Sequence, residues 1–180
     1  MLLGGFGVGK TTFIGAISEI EPLMTDAPMT DRSIGVDDAS ALPDKTTTTV
    51  ALDFGRIGLD DTLVLYLFGT PGQDRFAFLW DDLVDGALGA VVLVGTRRLE
   101  DCFPAVDYFE ERAVPFLVAV NRFDGAARFD LNEVREALDT QDPIPIVECD
   151  ARSRSSVQDV LVALVEEIIM VRLAATAGSH

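Results

Sequence analysis

Gly4-Gly5-Phe6-Gly7-Val8-Gly9-Lys10-Thr11 matches the pattern G-x-x-x-x-G-K-[ST] at every fixed position. Such a stretch wraps an anion with its own backbone. Glycines reach conformations closed to other residues, so successive N–H groups can turn inward on one phosphate. Lys10 brings a full positive charge to the β- and γ-phosphates of a nucleotide. The Thr11 hydroxyl is placed to ligate Mg²⁺. Thr12 completes the phosphate-binding set, in a helix whose positive end faces the anion. The bland alternative is a glycine-rich turn with a chance lysine, and the helical pattern that follows argues against it. A Rossmann loop is the nearer rival. It needs no Gly-Lys-Thr, and no acidic residue ends a second strand about 20 residues on.

A length of 180 residues with 48% hydrophobic content makes one domain, residues 1–180, with a sizeable core. The net charge of −16 repels nucleic acid and anionic lipid as a whole. A nucleotide must then be held by local positive groups, which again implicates Lys10, the loop amides and Mg²⁺. The two cysteines, Cys102 and Cys149, form no disulfide framework. No apolar run reaches the length of a membrane span, and no signal peptide or lipidation motif is present. The expectation is a cytoplasmic protein without direct membrane insertion. Only Met1, Leu2 and Leu3 precede Gly4, so the first strand reads as N-terminally truncated.

Phe13, Ile17 and Ile20 form one face of a helix over 11–20, closed by Pro22. Residues 21–45 read as a long polar loop ending in Lys45-Thr46-Thr47-Thr48-Thr49. A strand over 47–57, a turn at 58–61 and a near-continuous apolar strand over 62–68 make an antiparallel hairpin, the second strand covered on both faces. Further along, helices are expected over 74–84, 101–112 and 131–138. Strands are expected over 90–94, 115–120 and 144–149. In the last helix Val157, Val160, Leu161, Leu164, Val165, Ile168 and Ile169 share one core-facing stripe. Strands alternating with helices give an α/β sheet covered on both faces, with ligands beyond the carboxyl ends of its strands.

Those strand ends carry small polar motifs that fit one ligand. Asn121-Arg122-Phe123-Asp124 follows a buried strand. Guanine presents N1–H and N2–H₂ on one edge, and an ionised carboxylate accepts both; adenine has no such edge. Asn121 and Asp124 therefore read as the base-reading pair, with the stem of Arg122 lying along the base. In Asp150-Ala151-Arg152 the Ala151 N–H is aimed at guanine O6. After the hairpin, Gly72 can reach a terminal phosphate with its N–H, and Gln73 can orient an attacking water. Thr49, or its neighbour Thr48, can close over Mg²⁺; the bland reading of that threonine run is an edge strand.

The stretches GGFGVGKTTFIGAISEI, KTTTTVALDFGRI, LYLFGTPGQDRF, WDDLVDGALGAVVLV, TRRLEDCFPAVDYFE and AVNRFDG resemble a Ras-like small GTPase of the bacterial branch. The resemblance is closest to the actinobacterial conservon GTPases. It implies a P-loop NTPase of the small G-protein fold: a six-stranded, mostly parallel sheet with one antiparallel edge strand and helices on both faces. It also implies a GTP/GDP switch partnered by a roadblock-type small protein and a histidine-kinase-like membrane protein, with room for an activating or exchange factor. Any membrane location would come through such partners. Ras-like proteins usually carry D-T-A-G-Q where Gly69-Thr70-Pro71-Gly72-Gln73 stands here. The missing aspartate normally holds the Mg²⁺ shell, although relatives in the gliding and polarity branch also lack it. Gly95, just after a strand, is a second departure.

The expected activity is slow GTP hydrolysis with Lys10, Gly72 and Gln73 at the reacting phosphate, cycling loops 30–49 and 69–82. The alternative is a non-hydrolysing module that keeps GDP as a structural ligand. An ATPase is disfavoured by Asn121 and Asp124.

Overall fold

The computed structural model describes residues 1–21, 23–27, 50–71, 78–140 and 144–177. Thr48, Thr49, Gly72 and Gln73 lie outside the described residues, as do the whole of loop 30–49, residues 72–77 of loop 69–82 and the start of the helix expected over 74–84.

In chain order the elements are β1 (Leu2–Leu3), α1 (Lys10–Ile17), β2 (Leu23–Ala27), β3 (Val50–Gly58), β4 (Val64–Gly69), α2 (Phe78–Val84) and β5 (Ala90–Gly95). A 3₁₀ turn, Leu99–Cys102, leads into α3 (Phe103–Glu111). Then come β6 (Phe116–Asn121), α4 (Leu131–Leu138), β7 (Ile146–Cys149) and α5 (Arg154–Ala177). Among the described residues these strands form one seven-stranded sheet in the order β2-β3-β4-β1-β5-β6-β7. Strand β3 is antiparallel to both neighbours, and every other pair is parallel. Strand β1 sits centrally, pairing Leu2 with both Gly69 and Val91. The chain after β1 goes to one side of it and after β4 crosses to the other. The loop following β1 thus lies at the switch point where such sheets bind ligands.

The small G-protein architecture expected from the sequence stands, with one addition. Leu23–Ala27, inside the expected polar loop, pairs antiparallel with β3 from Leu23↔Phe54 to Ala27↔Val50. The antiparallel strand is therefore one place in from the edge.

Two apolar layers sandwich the sheet. Along β5 alternate residues face opposite ways: Val91 and Leu93 join Phe13, Ile14, Val157 and Val160 under α1 and α5. Ala90, Val92 and Val94 join Trp80, Val106, Phe109 and Val134 under α2, α3 and α4. This double burial is why β5 and β6 read as unbroken apolar runs. Strand β4 does not share it. Leu67 is buried, but Tyr66 and Phe68 are exposed; Tyr66 stacks on Phe54 at 5.7 Å and Phe68 meets it tilted at 5.2 Å, so the rings cover one another. Cys102 and Cys149 are free and buried in opposite layers.

Helix α1 stops at Ile17, three residues short of expectation. The Glu19 N–H donates to the Arg56 carbonyl at 2.8 Å, and the Ser18 hydroxyl accepts from the Arg56 N–H at 3.2 Å. These bonds tie the chain to β3 and end the helix. Helix α5 outruns its support: Val157, Val160, Leu161 and Leu164 are buried, while Val165 and Ile169 of the expected stripe are exposed. Helix α4 begins with a capping box, Asp130 with Glu133. Tyr108 on α3 and Arg112 at its C-terminal cap both donate to the Asp81 carboxylate, at 2.9 and 2.7 Å, which fastens α2 to α3.

Candidate functional site

The loop from Gly4 to Gly9 joins β1 to α1. Gly4 has φ +142°, and a Cβ there would stand 2.1 Å from the Leu93 carbonyl oxygen, so no other residue fits. Gly9 has φ +101° and touches the Asn121 side chain; it opens α1 without any side-chain cap. The first amides of the helix are left for a ligand.

Lys10 is only 7% exposed. Its ammonium donates to the Gly4 and Gly5 carbonyls at 2.7 and 2.8 Å. Burial pushes its pKa from 10.5 down to about 8, against the raising pull of Asp53. A phosphate in the loop would return the missing opposite charge.

Thr11 and Thr12 lie exposed at the start of α1. The Thr11 hydroxyl donates to Asp53 Oδ2 at 2.7 Å. Asp53 was missed in the sequence reading. It lies on β3 directly opposite Gly69 on β4. A Cβ on Gly69 would meet the Asp53 Cβ at 3.0 Å and its Oδ2 at 3.4 Å. The carboxylate absent from position 69 thus reappears beside Thr11, from the neighbouring strand. Counting back from the expected 58–61 turn would pair 53 with 66; the structure sets Gly58 against Val64, and only that register brings 53 opposite 69. A hydroxyl and a carboxylate fit Mg²⁺, which keeps several waters and takes one or two protein oxygens beside substrate phosphates. Among the described residues no group of three or more acidic, His or Cys side chains could hold a metal by itself.

Asn121 ends β6 and is 3% exposed. Its amide donates to the Val8 carbonyl at 2.8 Å and its oxygen accepts from the Ala151 N–H at 2.9 Å. Both ends are engaged, so Asn121 clips the phosphate loop to the loop after β7. The Ala151 N–H, expected at a guanine O6, is given to Asn121 instead.

The other strand-end residues gather around Asp124. Arg152 donates to Asp124 Oδ2 at 2.7 Å and to Oδ1 at 3.4 Å, and to both oxygens of Asp150 at 2.9 Å. The guanidinium holds both carboxyls below their ordinary range. The side chain of Asp124 is 87% exposed and that of Arg152 55%. Arg122 donates to Glu148, and its Nη1 is buried without a partner. A Cβ at Gly95 would make only ordinary contact with the Phe123 ring, at 3.5 Å, so nothing in the structure explains the glycine there. Of the residues read from the sequence, Gly4, Gly5, Gly7, Val8 and Gly9 form one loop with the exposed Phe6, leading into Lys10 and Thr11 at the start of α1, and Asn121 ties that loop to residues 150–152.

A glycine-rich phosphate loop at the switch point of a mostly parallel sheet defines a P-loop NTPase fold of the small G-protein type. Three solved structures share it. The Arl6 small GTPase of Trypanosoma brucei, with a bound GppNp, superposes with a TM-score of 0.66 at 18% identity over 94% of this chain and 95% of that one. The G domain of the T. maritima FeoB iron transporter gives 0.63 at 17% identity over 92% and 95%. The FeoB G domain of Methanococcus jannaschii gives 0.60 at 16% over 93% and 94%. More specifically, residues 2–171 match the family described as conserved hypothetical ATP binding protein, and the chain belongs to it. An uncharacterized protein of Methanocaldococcus jannaschii is 27% identical over 88 residues, which span 48% of this chain and 56% of that protein. Among the described residues no helix is long and apolar enough to cross a membrane.

Proposed function

We propose that this chain binds GTP and GDP with Mg²⁺ and hydrolyses GTP slowly as a molecular switch. The observation that carries the reading is the Asn121 clip. It ties the phosphate loop to the 150–152 loop beside Asp124, which supports a nucleotide reaching from one to the other with its base beyond β6. Lys10 would turn from the Gly4 and Gly5 carbonyls to the β- and γ-phosphates. Asp124 would accept the two donors of guanine. Thr11 would hold Mg²⁺ directly and Asp53 through its water shell, in place of the aspartate missing at 69; Thr48 or Thr49 would close from the other side. Bound Mg²⁺ neutralises charge that develops on the phosphates. Gly72 would donate its N–H to the γ-phosphate, and Gln73 would orient the attacking water.

Turnover without an added arginine is expected on the order of 10⁻⁴ to 10⁻² s⁻¹. The conservon resemblance supports partners: a roadblock-type small protein and a histidine-kinase-like membrane protein, through which a cytoplasmic switch would reach the membrane. Loops 30–49 and 69–82 would be the segments that nucleotide state reorders. Single-turnover hydrolysis, with and without a roadblock-type protein, tests the switch. Release of bound GDP with no turnover in either condition would leave a structural-nucleotide module. Replacing Gln73 with Leu should slow hydrolysis and spare binding.

A second reading is ATP binding, favoured by the description of the family. Asp124 speaks against it, since adenine sets an acceptor beside its one donor where guanine offers two donors to the carboxylate. Identifying the nucleotide released from denatured protein, and competition of GTP with ATP, decides between the two.

A further inference from the structure

We propose that Arg152 is a latch on Asp124. Its guanidinium stands in for the donor edge of guanine and must leave before a base can be read. The proposal rests on the guanine reading of Asp124 above.

A guanidinium presents coplanar N–H donors in a fixed fork. The edge of guanine, N1–H beside N2–H₂, presents the same two-donor pattern. Arg152 already applies that pattern to both oxygens of Asp124, with Nη1 at 2.7 Å and Nη2 at 3.4 Å. A bidentate base edge needs the same two oxygens from the same side. The carboxylate cannot serve the fork and the base together.

Arg152 also has somewhere to stay. Its Nε and Nη2 donate to Asp150 at 2.9 Å each, and its backbone N–H donates to Asp150 Oδ1 at 3.0 Å. Because the fork is rigid, these Asp150 contacts persist when the exposed Asp124 carboxylate turns away from it, or when the Asp150 carboxylate moves with the guanidinium. The side chains of Arg152, Asp124 and Asp150 line one open cleft with Arg122 and Arg128. Exposure suits the role. An ion pair in water is weak, so an arriving base can displace it, whereas a buried pair would shut the site.

A latch lowers apparent affinity by the fraction of molecules in which Asp124 is free. Removing it should therefore speed base capture. The sign is diagnostic, because deleting a positive charge from a chain of net charge −16 should otherwise slow the arrival of an anionic nucleotide.

The experiment is stopped-flow association of a fluorescent GDP with full-length protein, comparing wild type with Arg152→Met, which keeps the stem and loses the donors. Arg128→Met, an exposed arginine of the same cleft, serves as the charge control. Arg152→Met should associate roughly threefold to tenfold faster at low salt, with the gain shrinking as salt screens the wild-type pair. Arg128→Met should be unchanged or slower. Equal or slower association of Arg152→Met, with Asp124→Ala losing GDP, would overturn the latch and leave the guanine reading intact. Undiminished GDP binding by Asp124→Ala would overturn the guanine reading and the latch with it.

Discussion

Asp53 and Gly69 face each other across β3 and β4, and the side chain that Gly69 lacks leaves the space that the Asp53 carboxylate uses to reach Thr11. A carboxylate beside the phosphate-loop hydroxyl can thus be supplied from either strand. Asp53→Ala should cost about 10–100-fold in the Mg²⁺ dependence of nucleotide retention, as loss of an outer-shell carboxylate does. The exchange Asp53→Gly with Gly69→Asp should recover much of it. The new Cβ at 69 then meets chiefly the Ile14 methyl, the flexible end of a side chain. Nucleotide release measured against Mg²⁺ concentration checks both variants. No loss in Asp53→Ala would remove Asp53 from the metal shell.

Lys10 titrates near 8 in the ligand-free protein because burial disfavours its charge. Bound phosphates should raise that pKa. Binding then takes up a proton around pH 8, and nucleotide affinity should fall as pH rises above 8. The contribution of Lys10 to ligand-free stability has the opposite sign. Between pH 8 and 10.5 the unfolded chain holds more protons at this site, so stability gains as pH climbs. Calorimetry in buffers of different ionisation enthalpy reads the proton uptake directly. Lys10→Ala should bind no nucleotide and show none.

What could be read from the residues follows the physics of each element. Strands β5 and β6 were plain because burial on both faces leaves only apolar residues. Leu23–Ala27 was hidden because its Leu-Met-Thr-Asp-Ala sequence has no strong period; ladder bonds to β3 hold it. The stripe on α5 was legible, but periodicity marks a face and not where the surface beneath it ends. The phosphate loop was legible to the residue because glycines at strained positions leave few alternatives. Asp53 was not, since its importance depends on strand register. The Ala151 bond to Asn121 was not either, because a backbone donor carries no mark in the sequence.

Asn121 should behave as a clamp. Asn121→Ala leaves the Val8 carbonyl and the Ala151 N–H without partners in a buried site. The cost should be about 2–4 kcal/mol of stability, from two unsatisfied groups. Denaturant unfolding measures it. Because the clamp sets the phosphate loop, every nucleotide should bind worse, whatever its base. A loss confined to guanine nucleotides, at unchanged stability, would show that Asn121 reads the base.

Asp124→Asn should transfer preference from guanosine to xanthosine nucleotides. Guanine offers two donors to a carboxylate. Xanthine carries a carbonyl where guanine has its amino group, and an amide can donate to that carbonyl while accepting from the ring N–H. The preference of the wild type for GTP over ATP should span several orders of magnitude, since a bound base covers the Asp124 carboxylate and a mismatched one leaves it unpaired. In the variant the amide also holds Arg152 less firmly, because the charge that strengthens the hydrogen bond is gone. Exchange should then be faster for whichever base is accepted. Competition binding with GTP, ATP and XTP separates the outcomes. A variant that keeps its GTP preference would place base recognition elsewhere, and equal wild-type affinity for GTP and ATP would return the chain to the adenine reading.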